Sequence, residues 1–244
     1  MIKRGPRIVT DGLFFYIDAA NSKSYISGND FTSNILSTSL TGSFINNVAV
    51  DYNIKNLINL DNGTLSSSPT FDPTQGNGVL DYDGTDHLVF SDSGLPSGNL
   101  SGGATLAAWF KRDDNEYYDG IISYGTSDTN KNFFLNLSTQ YKLKSGFYAN
   151  DFENTSGTTI QTGVWYYGAV TYNGTTRQIY LNGQPEGNDS PSAPNVTLSG
   201  NLYIARLVTY YLNGMIGSTS IYDRALSASE VLQNYQAQKE RFGF

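Results

Sequence analysis

Short runs in which apolar and polar residues alternate recur along the chain, most clearly from about Leu80 onward. Aromatic and β-branched residues dominate these runs, and clusters of Gly, Asn, Asp and Ser separate them. The pattern is typical of an antiparallel all-β domain, because successive side chains on a strand point to opposite faces. The predicted strands are Leu13 to Asp18, Val79 to Tyr82, His87 to Phe90, Thr105 to Lys111, Gly120 to Tyr124, Phe133 to Leu137, Leu143 to Ala149, Val164 to Tyr172, Arg177 to Leu181, Leu202 to Ala205 and Met215 to Tyr222.

The run that ends at Tyr172 shows the alternation well. Reading every second residue separates Tyr166, Val170 and Tyr172 from Trp165 and Tyr167. We therefore expect one face of this strand to pack inward while the other remains available.

Asn-Gly pairs mark several boundaries between these strands. The pair Asn173-Gly174 predicts a type I′ hairpin over Val164 to Leu181, because both central residues of that turn need positive φ. The pairs Asn182-Gly183 and Asn213-Gly214 repeat the signal. A further stretch, Pro185 to Asn195, predicts a loop at a sheet edge, since proline cannot donate to a strand ladder.

The N-terminal third is rich in Ser, Asn and Thr, with irregular apolar spacing. Residues 22–70 therefore predict a long loop with one short strand, or alternatively an insertion that orders against a neighbouring subunit. Residues 1–11 predict an N-terminal arm. Near the other end, Ser227 and Glu230 form a capping-box pattern ahead of apolar residues at helical spacing, which predicts one short C-terminal helix.

Several of these segments resemble a known family in order and spacing. The stretch Asp81 to Leu88 is similar to the motif F-D-G-x-x-D-Y-V, and Thr105 to Lys111 to T-I-S-A-W-V-K. The family they resemble is the LamG-like jelly rolls of the concanavalin A-like lectin and glucanase superfamily. Further matching segments are Asp11 to Asn21, Val164 to Tyr172, Ile179 to Gly183, Asn213 to Ile216 and Ile221 to Val231.

The resemblance implies an all-β fold, a two-sheet antiparallel jelly-roll sandwich with one concave and one convex face. It implies a single domain over residues 1–244. Members bind glycans or proteins, and some relatives cleave glycans. The opening from Ile8 to Tyr25 also resembles stand-alone domains of bacteriophage virion proteins.

Composition narrows the function classes. With 15 basic and 22 acidic residues in 244, the net charge of −7 disfavours a nucleic-acid partner. The absence of cysteine excludes thiolate metal sites and cysteine nucleophiles. No run approaches the roughly 18 apolar residues of a membrane span, so membrane insertion is not expected. No signal peptide is recognisable, so we expect synthesis in the cytoplasm. The resemblance to virion domains implies a place in the extracellular virion particle.

Candidate chemistry is sparse. Glycoside hydrolysis usually needs two closely spaced carboxyl groups, and none of the five glutamates is paired with another acid at strand spacing inside a predicted strand. We therefore expect no enzyme. Tyrosine joins an apolar ring to a polar tip, which suits sugar stacking and protein interfaces alike. The tyrosines predicted in or beside loops, and so the candidate carbohydrate-binding residues, are Tyr117, Tyr118, Tyr148, Tyr210 and Tyr211.

Asp81, Asp83 and Asp86 surround Gly84. Three carboxylates so close together can ligate Ca²⁺, which prefers oxygen donors. The alternative is a structural β-turn without any cofactor.

Two hypotheses of function follow. The first is a virion structural protein that contacts other virion proteins or copies of itself and adheres to a host surface. The second is a carbohydrate-binding module for a cell-surface glycan, with or without calcium.

Overall fold

Two antiparallel sheets, each with eight strands in the part of the chain described, form the protein in this computed structural model. The structure describes residues 7–20, 69–90, 98–115, 118–191 and 196–244, and the backbone of residues 44–45, 48–49, 53–55 and 62–66. The two sheets lie face to face, which confirms the predicted sandwich with one C-terminal helix. The elements are β1 (Leu13–Asp18), β2 (Phe44–Ile45), β3 (Val48–Ala49), β4 (Asn53–Lys55), β5 (Asn62–Ser66), β6 (Thr70–Asp72), β7 (Val79–Asp83), β8 (His87–Phe90), β9 (Gly98–Asn99), β10 (Ala104–Arg112), β11 (Gly120–Gly125), β12 (Asn132–Leu137), β13 (Leu143–Gly146), β14 (Asp151–Glu153), β15 (Trp165–Tyr172), β16 (Arg177–Leu181), β17 (Gln184–Asp189), β18 (Thr197–Leu198), β19 (Leu202–Ile204), β20 (Arg206–Leu207), β21 (Tyr210–Tyr211), β22 (Asn213–Tyr222) and α1 (Ala228–Gln238), with single 3₁₀ turns at Leu100–Gly102 and Lys239–Phe242.

The first sheet has the order β17-β16-β15-β10-β22-β7-β6. Its longest strand, β22, pairs along one side with β10, and on the other side with β7 and then β1. The second sheet has the order β14-β13-β12-β11-β19-β8-β5-β4. Strands distant in sequence are therefore neighbours in both sheets, and β19 joins the two halves of the second sheet.

The main core lies between the facing sides of the two sheets. Phe15 of β1 meets Phe90 of β8 edge to face, with ring centroids 4.7 Å apart. Phe147 meets Tyr172 in the same way at 4.8 Å. Edge-to-face contacts of this kind add about 1 kcal/mol each to the burial of the rings.

The outer face of the first sheet is buried as well. Trp109 of β10 and Trp165 of β15 lie there beneath the C-terminal segment, where Phe242 stacks on Trp109 at 4.3 Å and contacts Trp165 at 4.7 Å. Tyr167 belongs to the same cluster. The prediction that one face of β15 stays available is therefore wrong, because the alternation separates two buried faces rather than an inner and an open one.

Helix α1 begins as the sequence predicts. Ser227 accepts a hydrogen bond from the backbone N–H of Glu230, and Glu230 accepts one from the backbone N–H of Ser227. The side chain of Asn234 in this helix accepts a hydrogen bond from the backbone N–H of Val9, at 2.7 Å. The helix thus ties the described start of the chain to the first sheet.

The hairpin turns differ from the prediction in one respect. Asn182 and Gly183 have φ of 50° and 78° and form the two-residue turn between β16 and β17 that type I′ requires. At Asn173-Gly174 only the glycine has positive φ. Asn173 instead accepts hydrogen bonds from the backbone of Thr175 and Thr176, which makes a four-residue loop.

One strand boundary and two predicted loops also differ from the prediction. Strand β13 ends at Gly146 rather than Ala149, because Tyr148 and Ala149 have φ of 61° and 56° and turn the chain toward β14. The predicted loop after Gly183 contains strand β17 at the sheet edge, where proline is tolerated. Residues 22–70 contribute β4 and β5 to the second sheet, more than the one short strand expected.

Candidate functional site

The outer face of the second sheet carries polar and aromatic side chains. Leu202 and Ile204 of β19 point into the core, so Tyr203 between them points outward. Tyr203 pairs across the sheet with Ser123 of β11 and with Val89 of β8. The same alternation that builds the core therefore builds a second, chemically different surface on the other side of the sheet.

A groove of about 430 Å³ lies on this face. Its volume is within the range of small-molecule sites, about 300 to 1,000 Å³. Beneath the groove, Ser123 and Asn132 are hydrogen-bonded to each other at 3.1 to 3.2 Å. The amide of Asn201 donates to the hydroxyl of Tyr203 at 3.2 Å. The groove therefore presents hydroxyl and amide groups that can donate and accept hydrogen bonds beside an aromatic ring.

Arg206 stands at the side of the groove and is held by its neighbours. Its Nε donates to the carbonyl of Val208 at 2.8 Å, and its Nη1 donates to Nε2 of His87 at 3.1 Å. The guanidinium carbon lies 4.7 Å from the ring centre of Tyr203 and 5.4 Å from that of Tyr211. Cation–π contacts at these distances fix the plane of the guanidinium group.

His87 is an uncharged partner of Arg206. Burial, and secondarily the positive charge of Arg206, lower the pKa of His87 to about 4. Because a guanidinium group only donates hydrogen bonds, Nε2 accepts and the ring proton resides on Nδ1. Nδ1 has no hydrogen-bond partner among the described residues. The histidine is packed in a strand, as the sequence predicts, and no described contact supports a catalytic triad.

The structure brings some of the predicted tyrosines together and separates others. The rings of Tyr118 and Tyr210 are 4.8 Å apart, and Tyr210 is 42% exposed. Tyr211 packs on His87, with ring centres 5.6 Å apart. Strands β11 and β13 run in the same direction, because each is antiparallel to β12. Tyr118 precedes β11 and Tyr148 follows β13, so these two tyrosines lie at opposite ends of the sheet. Tyr117 lies outside the described residues.

The predicted acidic turn is held by its own hydrogen bonds. Asp83 accepts from both the backbone N–H and the hydroxyl of Thr85, at 2.8 and 2.7 Å, which is the bonding of an Asx turn. Burial and the neighbouring Asp83 raise the pKa of Asp86 to about 6. Among the described residues, no three His, Cys, Asp or Glu side chains are grouped so that they could hold a metal ion. Asp81, Asp83 and Asp86 therefore do not assemble as the predicted ligand set.

A second cavity, of about 190 Å³, lies between the sheets near the 3₁₀ turn at Leu100. Core residues such as Leu106, Phe133 and Ile221 line it. It is smaller than typical ligand pockets and belongs to the packing of the sandwich.

Sequence reasoning missed the groove residues Ser123, Asn132, Tyr203 and Arg206. The alternation around Tyr203 was a usable signal, since a tyrosine between two core positions must face outward. The hydrogen bond between Arg206 and His87 joins positions 119 residues apart, and no local pattern indicates it. In the described part of the chain, no helix is long and apolar enough to cross a membrane.

The fold and the groove together define a two-sheet sandwich of the concanavalin A-like class. The Laminin_G_3 family, described as belonging to the concanavalin A-like lectin/glucanases superfamily, matches residues 82–232. The chain belongs to this family, which confirms the resemblance to the LamG-like jelly rolls. No curated protein matches the chain.

Solved structures show the same fold at low sequence identity. Domain 4 of AbnA, an extracellular GH43 arabinanase from Geobacillus stearothermophilus, in complex with arabinotriose, has a TM-score of 0.65 and 15% identity, over 92% of this chain and 98% of that one. Trypanosoma rangeli sialidase has a TM-score of 0.63 and 12% identity, over 97% of this chain and 34% of that one. The binding domain of Paraclostridial Mosquitocidal Protein 1 has a TM-score of 0.62 and 12% identity, over 92% of this chain and 52% of that one.

Proposed function

We propose that this chain is a non-enzymatic, lectin-like domain that binds a saccharide in the groove on the outer face of the second sheet. The observation that carries the proposal is the lining of that groove. Thr126, Ser127 and Asn201 supply hydrogen-bonding groups at the surface of the groove, and Tyr203 supplies an aromatic ring beside them. Sugars combine hydroxyl groups with apolar C–H faces, so this combination matches their surface.

The solved structures support a saccharide ligand in general terms. One is a domain of an arabinanase in complex with arabinotriose, and another is the binding domain of Paraclostridial Mosquitocidal Protein 1. At 12 to 15% identity they share the fold with this chain and supply no residue roles.

The groove chemistry favours binding over hydrolysis. Glycosidases usually use a pair of Asp or Glu side chains beside the scissile bond. No Asp or Glu is among the described residues that line the groove. We therefore propose that the bound saccharide is retained unchanged.

The test is a glycan array followed by calorimetric titration of the saccharides that bind. Tyr203→Ala removes the ring beside the groove, and we expect affinity to fall at least tenfold. Tyr235→Ala is the matched control, because it removes a half-buried tyrosine of α1, which packs on Trp109 of the first sheet and lies away from the groove. An array without any bound saccharide, or equal affinity for Tyr203→Ala and the wild type, would refute the proposal.

The array is run with calcium and again with a chelator. Calcium binding stays a prediction from the sequence, and loss of binding in the chelator would support it. Incubating the bound saccharides with concentrated protein tests hydrolysis, and released product would overturn the non-enzymatic assignment.

We further propose that the domain serves in a bacteriophage particle, where it contacts virion proteins or its own copies and adheres to a host-surface glycan. The supporting observation is the resemblance of Ile8 to Tyr25 to the opening of virion domains. Antibody labelling of purified particles tests this role. Labelled particles would support it, and particles that carry no copy of the chain would exclude it.

A further inference from the structure

Arg206 is the one charged side chain among the described residues that line the groove. The other partly or fully buried arginines in the described chain each lie within 4 Å of a carboxylate, whereas no described ion pair includes Arg206. Charged groups removed from water are usually paired, because burial of an uncompensated charge is costly. Arg206 is half-buried beside a ligand-sized groove and has no carboxylate partner among the described residues, and this arrangement needs a reason.

The geometry of Arg206 leaves part of its guanidinium group unused. Nε is bonded to Val208, and one N–H of Nη1 is bonded to His87. A guanidinium group has five N–H donors. Three donors therefore have no described partner, one on Nη1 and two on Nη2.

The described neighbours of Arg206 do not neutralise its charge. His87 is uncharged at neutral pH, because burial lowers its pKa to about 4. Tyr203 and Tyr211 hold the guanidinium plane through their ring faces. The arginine is thus fixed in place before any ligand arrives, which reduces the entropy lost on binding.

We propose that the groove selects saccharides that carry a carboxylate and that Arg206 binds this carboxylate through Nη1 and Nη2. The inference rests on the proposed function and adds the class of saccharide. A planar guanidinium matches a planar carboxylate with two parallel hydrogen bonds, which neutral sugars cannot supply. The same N–H donors of the guanidinium group can also bind a sulfate ester, so sulfated saccharides form a separate arm of the experiment.

The first experiment uses the wild-type protein and matched pairs of ligands. Trigalacturonate, an alginate trisaccharide, sialyllactose and a hyaluronan tetrasaccharide are each titrated beside their carboxyl-reduced forms. Sulfated galacto-oligosaccharides and arabinotriose complete the panel. Hydrogen bonds to charged groups contribute more than neutral ones, so we expect at least one acidic saccharide to bind about 10- to 100-fold more tightly than its reduced form.

The second experiment tests the residue. Arg206→Gln removes the charge and the paired N–H donors of the guanidinium group. We expect this variant to bind the preferred acidic saccharide no more tightly than it binds the carboxyl-reduced form. Arg206→Lys keeps the positive charge but not the paired N–H donors, and we expect an intermediate affinity for the preferred acidic saccharide. Arg7→Gln is the matched control, because Arg7 is an exposed arginine whose carbonyl accepts a hydrogen bond from α1 on the other sheet.

The outcomes separate this inference from the proposed function. If neutral saccharides bind in the groove as tightly as acidic ones, or sulfated ones bind in preference, the proposed function stands and the carboxylate inference is overturned. If no saccharide binds, both are overturned. If Arg206→Gln does not fold, the comparison of acidic and reduced ligands on the wild type still decides.

Discussion

Phe242 closes the outer face of the first sheet, and its removal tests whether the C-terminal segment is part of the cooperative fold. The side chain is 6% exposed and packs between Trp109 and Trp165. Gly76 and Gly217 leave room for the ring of Phe242. A Cβ added at Gly76 would lie 2.6 Å from this ring, and one added at Gly217 would lie 2.4 Å from it. We expect Phe242→Ala to destabilise the whole domain.

The expected size follows from the contacts. Replacement of a buried phenylalanine by alanine costs about 3 to 5 kcal/mol. Phe242 lies in a single 3₁₀ turn, Lys239–Phe242, outside the sheet, so its surroundings can relax, and we expect about 3 kcal/mol. For a domain of this size that corresponds to a fall in Tm of about 6 to 12 °C.

The assay is urea denaturation followed by tryptophan fluorescence, with calorimetry for Tm. Phe244→Ala is the control, because Phe244 is 43% exposed, and we expect a change below about 1 kcal/mol. Gly217→Ala disrupts the same contact from the side of the sheet, because the added Cβ would collide with the ring of Phe242. It should therefore also lower the free energy of unfolding. A loss of less than 1 kcal/mol for Phe242→Ala would refute the reasoning, since the segment would then detach without unfolding the domain.

Two further predictions concern charged groups. Arg177 is fully buried and makes two hydrogen bonds to Asp189. Asp189→Asn should therefore lower the free energy of unfolding by about 3 kcal/mol, as measured by urea denaturation. An unchanged denaturation midpoint would contradict this prediction. The pKa of Asp86 is raised from 3.8 to about 6, so between these values the folded state binds more protons than the unfolded state. Stability from this group therefore rises as pH falls from 7 toward 4, and Asp86→Asn should abolish that rise; a pH dependence equal to that of the wild type would contradict the assignment.

Much of the architecture was predictable from the sequence because it is encoded locally. Strands β8 and β16 have the predicted limits, since alternation and flanking turn residues mark both ends. The capping box at Ser227 identified the start of α1. Of the Asn-Gly pairs that predicted turns, Asn182-Gly183 forms a type I′ turn and Asn173-Gly174 lies in a four-residue loop. The strand register, and not the dipeptide, decides how many residues a hairpin loop contains.

The candidate site was much less predictable. The sequence indicated tyrosines near loops, and of these Tyr118 and Tyr210 do meet. Tyr148 lies at the other end of the sheet, since strand order places it there. The aspartates around Gly84 are close in sequence, yet no three His, Cys, Asp or Glu side chains among the described residues are grouped to hold a metal ion. Asp83 instead accepts two hydrogen bonds from Thr85.

The sequence by itself determined the fold class, most strand positions and the helix, since periodicity, turn residues and caps act within a few residues of one another. The tertiary structure decided which sheet face is open. The face with Trp109 is closed by Phe242, and the face with Tyr203 carries the groove. It also decided that Arg206 meets His87, because non-adjacent strands become neighbours only when the sheet order is complete. Alternation specifies two faces for each strand, and only packing determines which of them is covered.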